Sequence, residues 1–182
     1  MKGSMRTTVF DRTSPGLEAG PLESFVEKAA RAAGLRGRVT VLITSNAKIR
    51  RLNSRFRGQD SPTDVLSFPA GAPAPGLSGD IAVSLDMAAR NARELGHSLA
   101  EETRILILHG ILHLAGYDHE NDRGEMQEKE ASLRRKLGLP TGLIERTRPP
   151  GSPAASPPSS RSRTPAKSRR RTGARDPERS RT

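Results

Sequence analysis

Apolar positions change period several times along the chain, and each change marks an element. Leu22, Phe25, Val26, Ala29, Ala30 and Ala33 recur at helical intervals within PLESFVEKAARAAG, so a helix is predicted there, stopped by Gly34. The β-branched run RVTVLIT, 38–44, reads as a strand, and MRTTVFD, 5–11, as a short first strand. SNAKIRRLNSRFRG, 45–58, is a short helix with Ile49, Leu52 and Phe56 on one face and Gly58 at its end. DVLSFPA, 64–70, is a strand running into the loop GAPAPGLSG, after which GDIAVSLD reads as a further strand and MAARNARELG as a helix stopped by Gly96. Ser98 and Glu101 form an S-x-x-E capping box opening a long apolar helix that ends near Gly116. The last element, 123–138, turns Met126, Leu133 and Leu137 inward and stops at Gly138. Strands and helices mix without strict alternation and without an internal repeat, so the expected class is α+β: a small mixed β-sheet covered by helices.

Charge divides the chain in two. The segment 147–182 holds ten of the 31 basic residues, two of the 20 acidic ones and seven of the 14 prolines, so it carries +8 of the net +11. With almost no large apolar side chain it has too little surface to bury against its ordering entropy. The expectation is one folded domain over 1–146 and a disordered, Pro/Ser/Arg-rich basic tail over 147–182. Such a tail suits an electrostatic arm for a polyanion such as RNA and equally suits plain solvation. The chain has no cysteine, which excludes disulfides and restricts any metal site to His, Asp and Glu. The first sixteen residues lack the apolar core of a signal peptide, and no stretch is long enough to span a bilayer, so a cytoplasmic protein without a membrane partner is expected.

Three of the four histidines fall within LHGILHLAGYDHE: His109, His113 and His119, at offsets of zero, four and ten. Residues four apart share a helix face with β-carbons about 6 Å apart, so the first two rings can address one point. Gly116 lets the chain leave the helix and return His119 to them. Three imidazoles around a tetrahedral ion leave one position open, the pattern of a catalytic zinc site. One such histidine would be read as an ordinary hydrogen-bonded residue; the spacing of three argues for a metal. His97 has no partner at ligand spacing and is expected at the surface.

These offsets also fit the metzincin pattern H-E-x-x-H-x-x-G-x-x-H. In those peptidases the Glu after the first His is the general base, and here that position is Gly110. The spacing supports the metal while the missing carboxylate argues against proteolysis. A third reading is a non-catalytic RNA-binding assembly factor with a structural metal, which calls for a fourth protein ligand that the motif does not offer.

HGILHLAGYDH resembles the H-G-x-L-H-L-x-G-Y-D-H signature of the YbeY family, the single-domain metal-dependent endoribonucleases of rRNA maturation. LNSRFRGQDSPTDVLSF, 52–68, is similar to that family's L-N-x-x-Y-R-x-x-D-x-P-T-D-V-L-S-F block, and LSGDIAVS to its L-G-D-I strand. Phe56 stands where the family usually has Tyr, and the tail lies outside the family pattern. The resemblance implies His109, His113 and His119 as ligands of one Zn2+, with another divalent ion possible, and Arg57 as the catalytic arginine. It implies single-stranded regions of rRNA as substrate, 16S-type small-subunit rRNA maturation and ribosome quality control as the role, and the ribosome or its small subunit as partner, with no DNA expected. A guanidinium is a planar, permanently charged clamp for a phosphodiester that gains charge in cleavage. Either a water or the RNA 2′-hydroxyl fits as nucleophile. Asp118 could orient a ligand imidazole or cap the turn, while Thr63 and Asp64 fit a structural role at the entry to a strand. With five aromatic residues the chain is poor in base-stacking platforms, so phosphate contacts are expected to dominate recognition.

Overall fold

The computed structural model describes residues 8–71, 76–119 and 121–140. In chain order these form β1 (Thr8–Phe10), α1 (Ala19–Ala32), β2 (Arg38–Thr44), α2 (Asn46–Arg57), β3 (Val65–Pro69), β4 (Leu77–Ser84), α3 (Leu85–Leu95), α4 (Leu99–Leu114) and α5 (Glu125–Leu137). The expected α+β class is what forms. The predicted basic tail, 147–182, lies outside the described residues, and among these no helix is long and apolar enough to cross a membrane.

Boundaries moved where capping chemistry outweighed periodicity. Ser84, read as part of a strand continuing to Asp86, is the N-cap of α3: its hydroxyl accepts from the Met87 N–H, so Leu85 and Asp86 already belong to the helix. β4 in turn begins at Leu77, inside the predicted loop. α1 begins at Ala19, ahead of Pro21, whose missing N–H falls in the first turn, where helical amides have no intrahelical partner.

The sheet order is β1-β2-β4-β3, with β1, β2 and β4 parallel and β3 antiparallel to β4 at one edge. Strand alternation divides the apolar side chains between the two faces. Val39, Val41, Ile43, Ile81 and Val83 join the main core with residues of α1, α3, α4 and α5, whereas Ala82 and Leu66 pack with Ile49 of α2. The apolar cluster on the second face is small: Ile49, Leu66 and Ala82 are buried, with Leu42, Leu52 and Phe68 partly buried around them. Phe56, on the apolar face of α2, meets Phe68 on edge strand β3 and the Arg55 guanidinium and stays 59% exposed, while Asn53 is buried and donates from Nδ2 to the Ser61 carbonyl at 2.9 Å.

α4 is the column of the main core. Ile105, Leu106, Ile107, Leu108, Ile111 and Leu112 are all fully buried, as befits a helix that is apolar all round. Each such side chain contributes about 2 kcal/mol relative to exposure. Two glycines let the column approach the sheet. A β-carbon on Gly110 would meet Ile81 Cγ2 and Ser67 Oγ at 3.0 Å, and the Ser67 hydroxyl donates to the Gly110 carbonyl at 3.1 Å. Gly79, at φ +148°, sits where a β-carbon would lie 2.5 Å from the Phe68 carbonyl oxygen and 2.7 Å from Leu114.

His97 departs from its expected surface position. Its side chain is only 9% exposed, with Nδ1 3.2 Å from Oε2 of the buried Glu102, because the turn after Gly96 folds it onto the start of α4. The Ser98–Glu101 capping box is formed as predicted.

Candidate metal centre

α4 carries His109 and His113 on successive turns, and its apolar surroundings set their environments. The helix ends at Leu114, and Gly116 takes φ +90°, with its N–H donating to the His113 carbonyl and the Tyr117 N–H to that of Leu112. This reversal brings His119 back to the helix end. The ring centroids of His109 and His113 are 4.7 Å apart, and each lies 5.4 Å from that of His119. One nitrogen from each of the three rings lies within 4.8 Å of the others.

His109 and His113 face each other through their Nε2 atoms at 3.1 Å. Two nitrogens of a tetrahedral zinc site with bonds of about 2.1 Å are about 3.4 Å apart, so the rings already have nearly the spacing of a ligand pair. The donor set is imidazole only, suited to a borderline divalent ion. His109 is buried, His113 half-buried and His119 exposed, so the site opens toward solvent on the His119 side.

The outer face of the pair is also built. Glu130 of α5, its side chain 2% exposed, places Oε2 3.1 Å from His109 Nδ1, and its Oε1 lies 3.8 Å from Nε of the buried Arg134 one turn on. With Nδ1 donating to the carboxylate, the Nε2 lone pair is left facing into the group. Burial pushes the His113 imidazole down to about 4, with the neighbouring His109 and His119 acting in the same direction and Asp118 opposing them. His113 therefore keeps its donor lone pair across the neutral range.

Arg57 is not part of this group. It is the last residue of α2, exposed, followed by the left-handed Gly58, and α2 packs on the sheet face opposite α4. Edge strand β3 joins the two regions: Ser67 bonds to Gly110 of α4, and the next residue, Phe68, packs against Phe56 beside Arg57. The Asp118 carboxylate accepts from Asn121 Nδ2, and its carbonyl accepts the N–H groups of Asn121 and Asp122. It thus caps the turn as well as acting on the charge of His113. Asp64 accepts from the Val65 N–H and gives its carbonyl to the Ser84 N–H, a structural role at the start of β3. Gly110, where the peptidase pattern has its Glu, points its missing side chain at the sheet rather than at the histidines.

Glu130 is the residue that sequence reasoning passed over, although a signal was present. Met126, Glu130, Leu133 and Leu137 share one helical face, so a carboxylate occupies a core position.

The family model described as endoribonuclease YbeY matches residues 19–138. A protein named endoribonuclease YbeY from Koribacter versatilis is 57% identical over 147 residues, covering 81% of this chain and 95% of its own length. One of the same name from Solibacter usitatus is 48% identical over 142 residues, covering 78% and 95%. A Thermotoga maritima protein solved in solution is 32% identical and superposes with a TM-score of 0.53, covering 73% of this chain and 89% of its own.

Proposed function

Because the chain belongs to the family of the endoribonuclease YbeY, we propose that it is a zinc-dependent, single-strand-specific endoribonuclease of rRNA processing. In this reading it matures 16S-type small-subunit rRNA and serves ribosome quality control in the cytoplasm, in contact with the ribosome or its small subunit. His109, His113 and His119 hold the ion, and Arg57 is the catalytic arginine. Residues 1–146 form the catalytic domain and 147–182 a basic appendage. The observation that carries the reading is the convergence of three imidazoles, backed by a buried carboxylate, within the span that matches the family.

A bound divalent ion supplies a Lewis acid for the scissile phosphodiester or for a water. The chain's own residues do the rest. Glu130 holds the His109 ring by its outer nitrogen, fixing both its plane and the tautomer that presents Nε2. Burial keeps His113 in its donor form. The exposed side at His119 admits a large polymeric substrate. Arg57 offers two parallel N–H donors to the nonbridging phosphate oxygens and stabilises the charge that develops there.

The test is cleavage of a labelled single-stranded rRNA fragment by the purified full chain, its chelator-stripped form and Arg57→Ala, with metal content measured on each. Cleavage should vanish in both controls while Arg57→Ala retains its metal. Metal-loaded samples that are all inert would instead favour the assembly-factor reading, and equal activity in all samples would mark a contaminant.

A further inference from the structure

Phe56 is the one phenylalanine or tyrosine ring among the described residues that stands mainly in solvent. It is held rather than loose. Its ring meets Phe68 edge to face, centroids 5.2 Å apart at 66°, and the Arg55 guanidinium carbon lies 5.4 Å from its centroid. The surroundings are cationic: α2 carries Lys48, Arg50, Arg51, Arg55 and Arg57 and no acidic residue. Lys48 is paired with Asp11 and Arg50 with Asp60, whereas Arg51, Arg55 and Arg57 make no ion pair among the described residues. An open groove of about 480 Å³ runs along the same helix, lined by Ala47, Arg50, Arg51, Ser54, Arg55 and Asp60.

We infer that the exposed face of α2 is a docking surface for unpaired RNA, in which one base stacks on Phe56 while Arg51 and Arg55 take the flanking phosphates. A single flat apolar ring among unpaired guanidiniums complements a polyanion that carries flat bases, and every base has a π-face to offer. An apolar protein partner would need a contiguous apolar patch, and here the ring, backed by Phe68, is flanked by Arg55 and Arg57. Phe56 and Arg57 both belong to the last turn of α2, so a base stacked there brings the strand to the helix end that carries the arginine assigned to cleavage. The surface rests on the RNA reading above and adds a residue-level contact to it.

Since the chain has no tryptophan, Phe56→Trp provides a local fluorophore that does not report on binding elsewhere. The metal-loaded full chain would be titrated with a nuclease-resistant 2′-O-methyl oligoadenylate and with an abasic oligomer of equal length and charge. Emission should fall saturably with the first and not with the second. In parallel, Phe56→Ala and Phe56→Leu should bind the oligoadenylate about 5- to 150-fold more weakly than wild type, with metal content unchanged. Phe56→Tyr should bind as wild type does. Unchanged emission in a Phe56→Trp variant that still cleaves single-stranded RNA would overturn the stacking contact and leave the nuclease reading standing. Equal responses to the two oligomers would overturn it in favour of phosphate contacts alone. A change in emission with protein concentration in the absence of RNA would reassign the ring to a contact between copies. A wild-type chain that neither binds nor cleaves RNA would remove both readings together.

Discussion

Replacing Glu130 by Gln keeps the size and shape of a buried side chain but removes its negative charge from both His109 and Arg134. The Glu130 side chain is 2% exposed, and its contact to His109 Nδ1 is 3.1 Å, so the amide fits the space and its oxygen can still accept from the ring. What is lost is the charge assistance. Hydrogen bonds to charged groups contribute about 1.5–3 kcal/mol against about 0.5–1.5 for neutral ones, a difference of about 1 kcal/mol, or roughly fivefold in metal affinity. If the amide instead turned its NH2 toward Nδ1, the ring would have to carry its proton on Nε2 and would cease to be a donor. Metal affinity would then fall by about 100-fold, the upper end of what removing such a partner costs. Glu130→Ala removes both the contact and a partner of the buried Arg134, and should lose metal and stability together. Competition against a chromophoric chelator gives the affinity, and urea unfolding of the metal-free protein gives the stability. A purely structural Glu130 would lower the urea midpoint while leaving the affinity of the folded fraction within twofold of wild type. That outcome for Glu130→Gln would refute the assigned role.

Three further outcomes follow from the same geometry. Below its unfolded value of about 6.5, His113 binds a proton more readily in the unfolded chain than in the folded one, where it is pushed down to about 4. Metal-free protein should therefore lose stability as pH falls through that window, with no His113 contribution above it. Comparing urea midpoints of wild type and His113→Gln at pH 7, 6 and 5 isolates the effect, and a constant difference across the series would refute it. Gly110→Glu should not create a peptidase: the new side chain enters the contact with Ile81 and Ser67, at a cost of about 3 kcal/mol or more. An unchanged urea midpoint would contradict that packing. Truncation after Arg146 should leave metal content and the core's unfolding midpoint unchanged, and an insoluble product would overturn the proposed domain boundary.

Most of the fold was legible because its signals are local. The strand over Arg38–Thr44, the capping box at Ser98 and the stops at Gly58, Gly96 and Gly138 depend on residues within a few positions of one another. The histidine group was legible for the same reason, since helix geometry and one glycine suffice to bring the rings together. What escaped depends on packing between distant segments. Phe56 carries the helical period of an inward residue, but it sits in the last turn of α2 against Phe68 of edge strand β3 and stays exposed. His97 looks isolated in sequence and is buried by the turn that brings it to Glu102. Glu130 lies 21 positions from His109, and the pairing exists only because α5 packs against α4.

The same burial that makes α4 the core column also determines what its histidines can do. An imidazole among fully buried Ile and Leu side chains is costly to charge and costly to leave without partners. His113 accordingly remains a lone-pair donor, and His109 needs a carboxylate behind it. A divalent ion is the group that would satisfy both inward-facing nitrogens at 3.1 Å. It would also tie α4 to the turn carrying His119 and, through Glu130, to α5. Binding and folding would then share one free energy, so the metal-loaded chain should resist denaturant better than the stripped one by an amount set by ion concentration. His113→Ala should abolish that increment. If the variant kept the full metal-dependent gain, the ion would have to be held elsewhere, and the three histidines would lose their assignment.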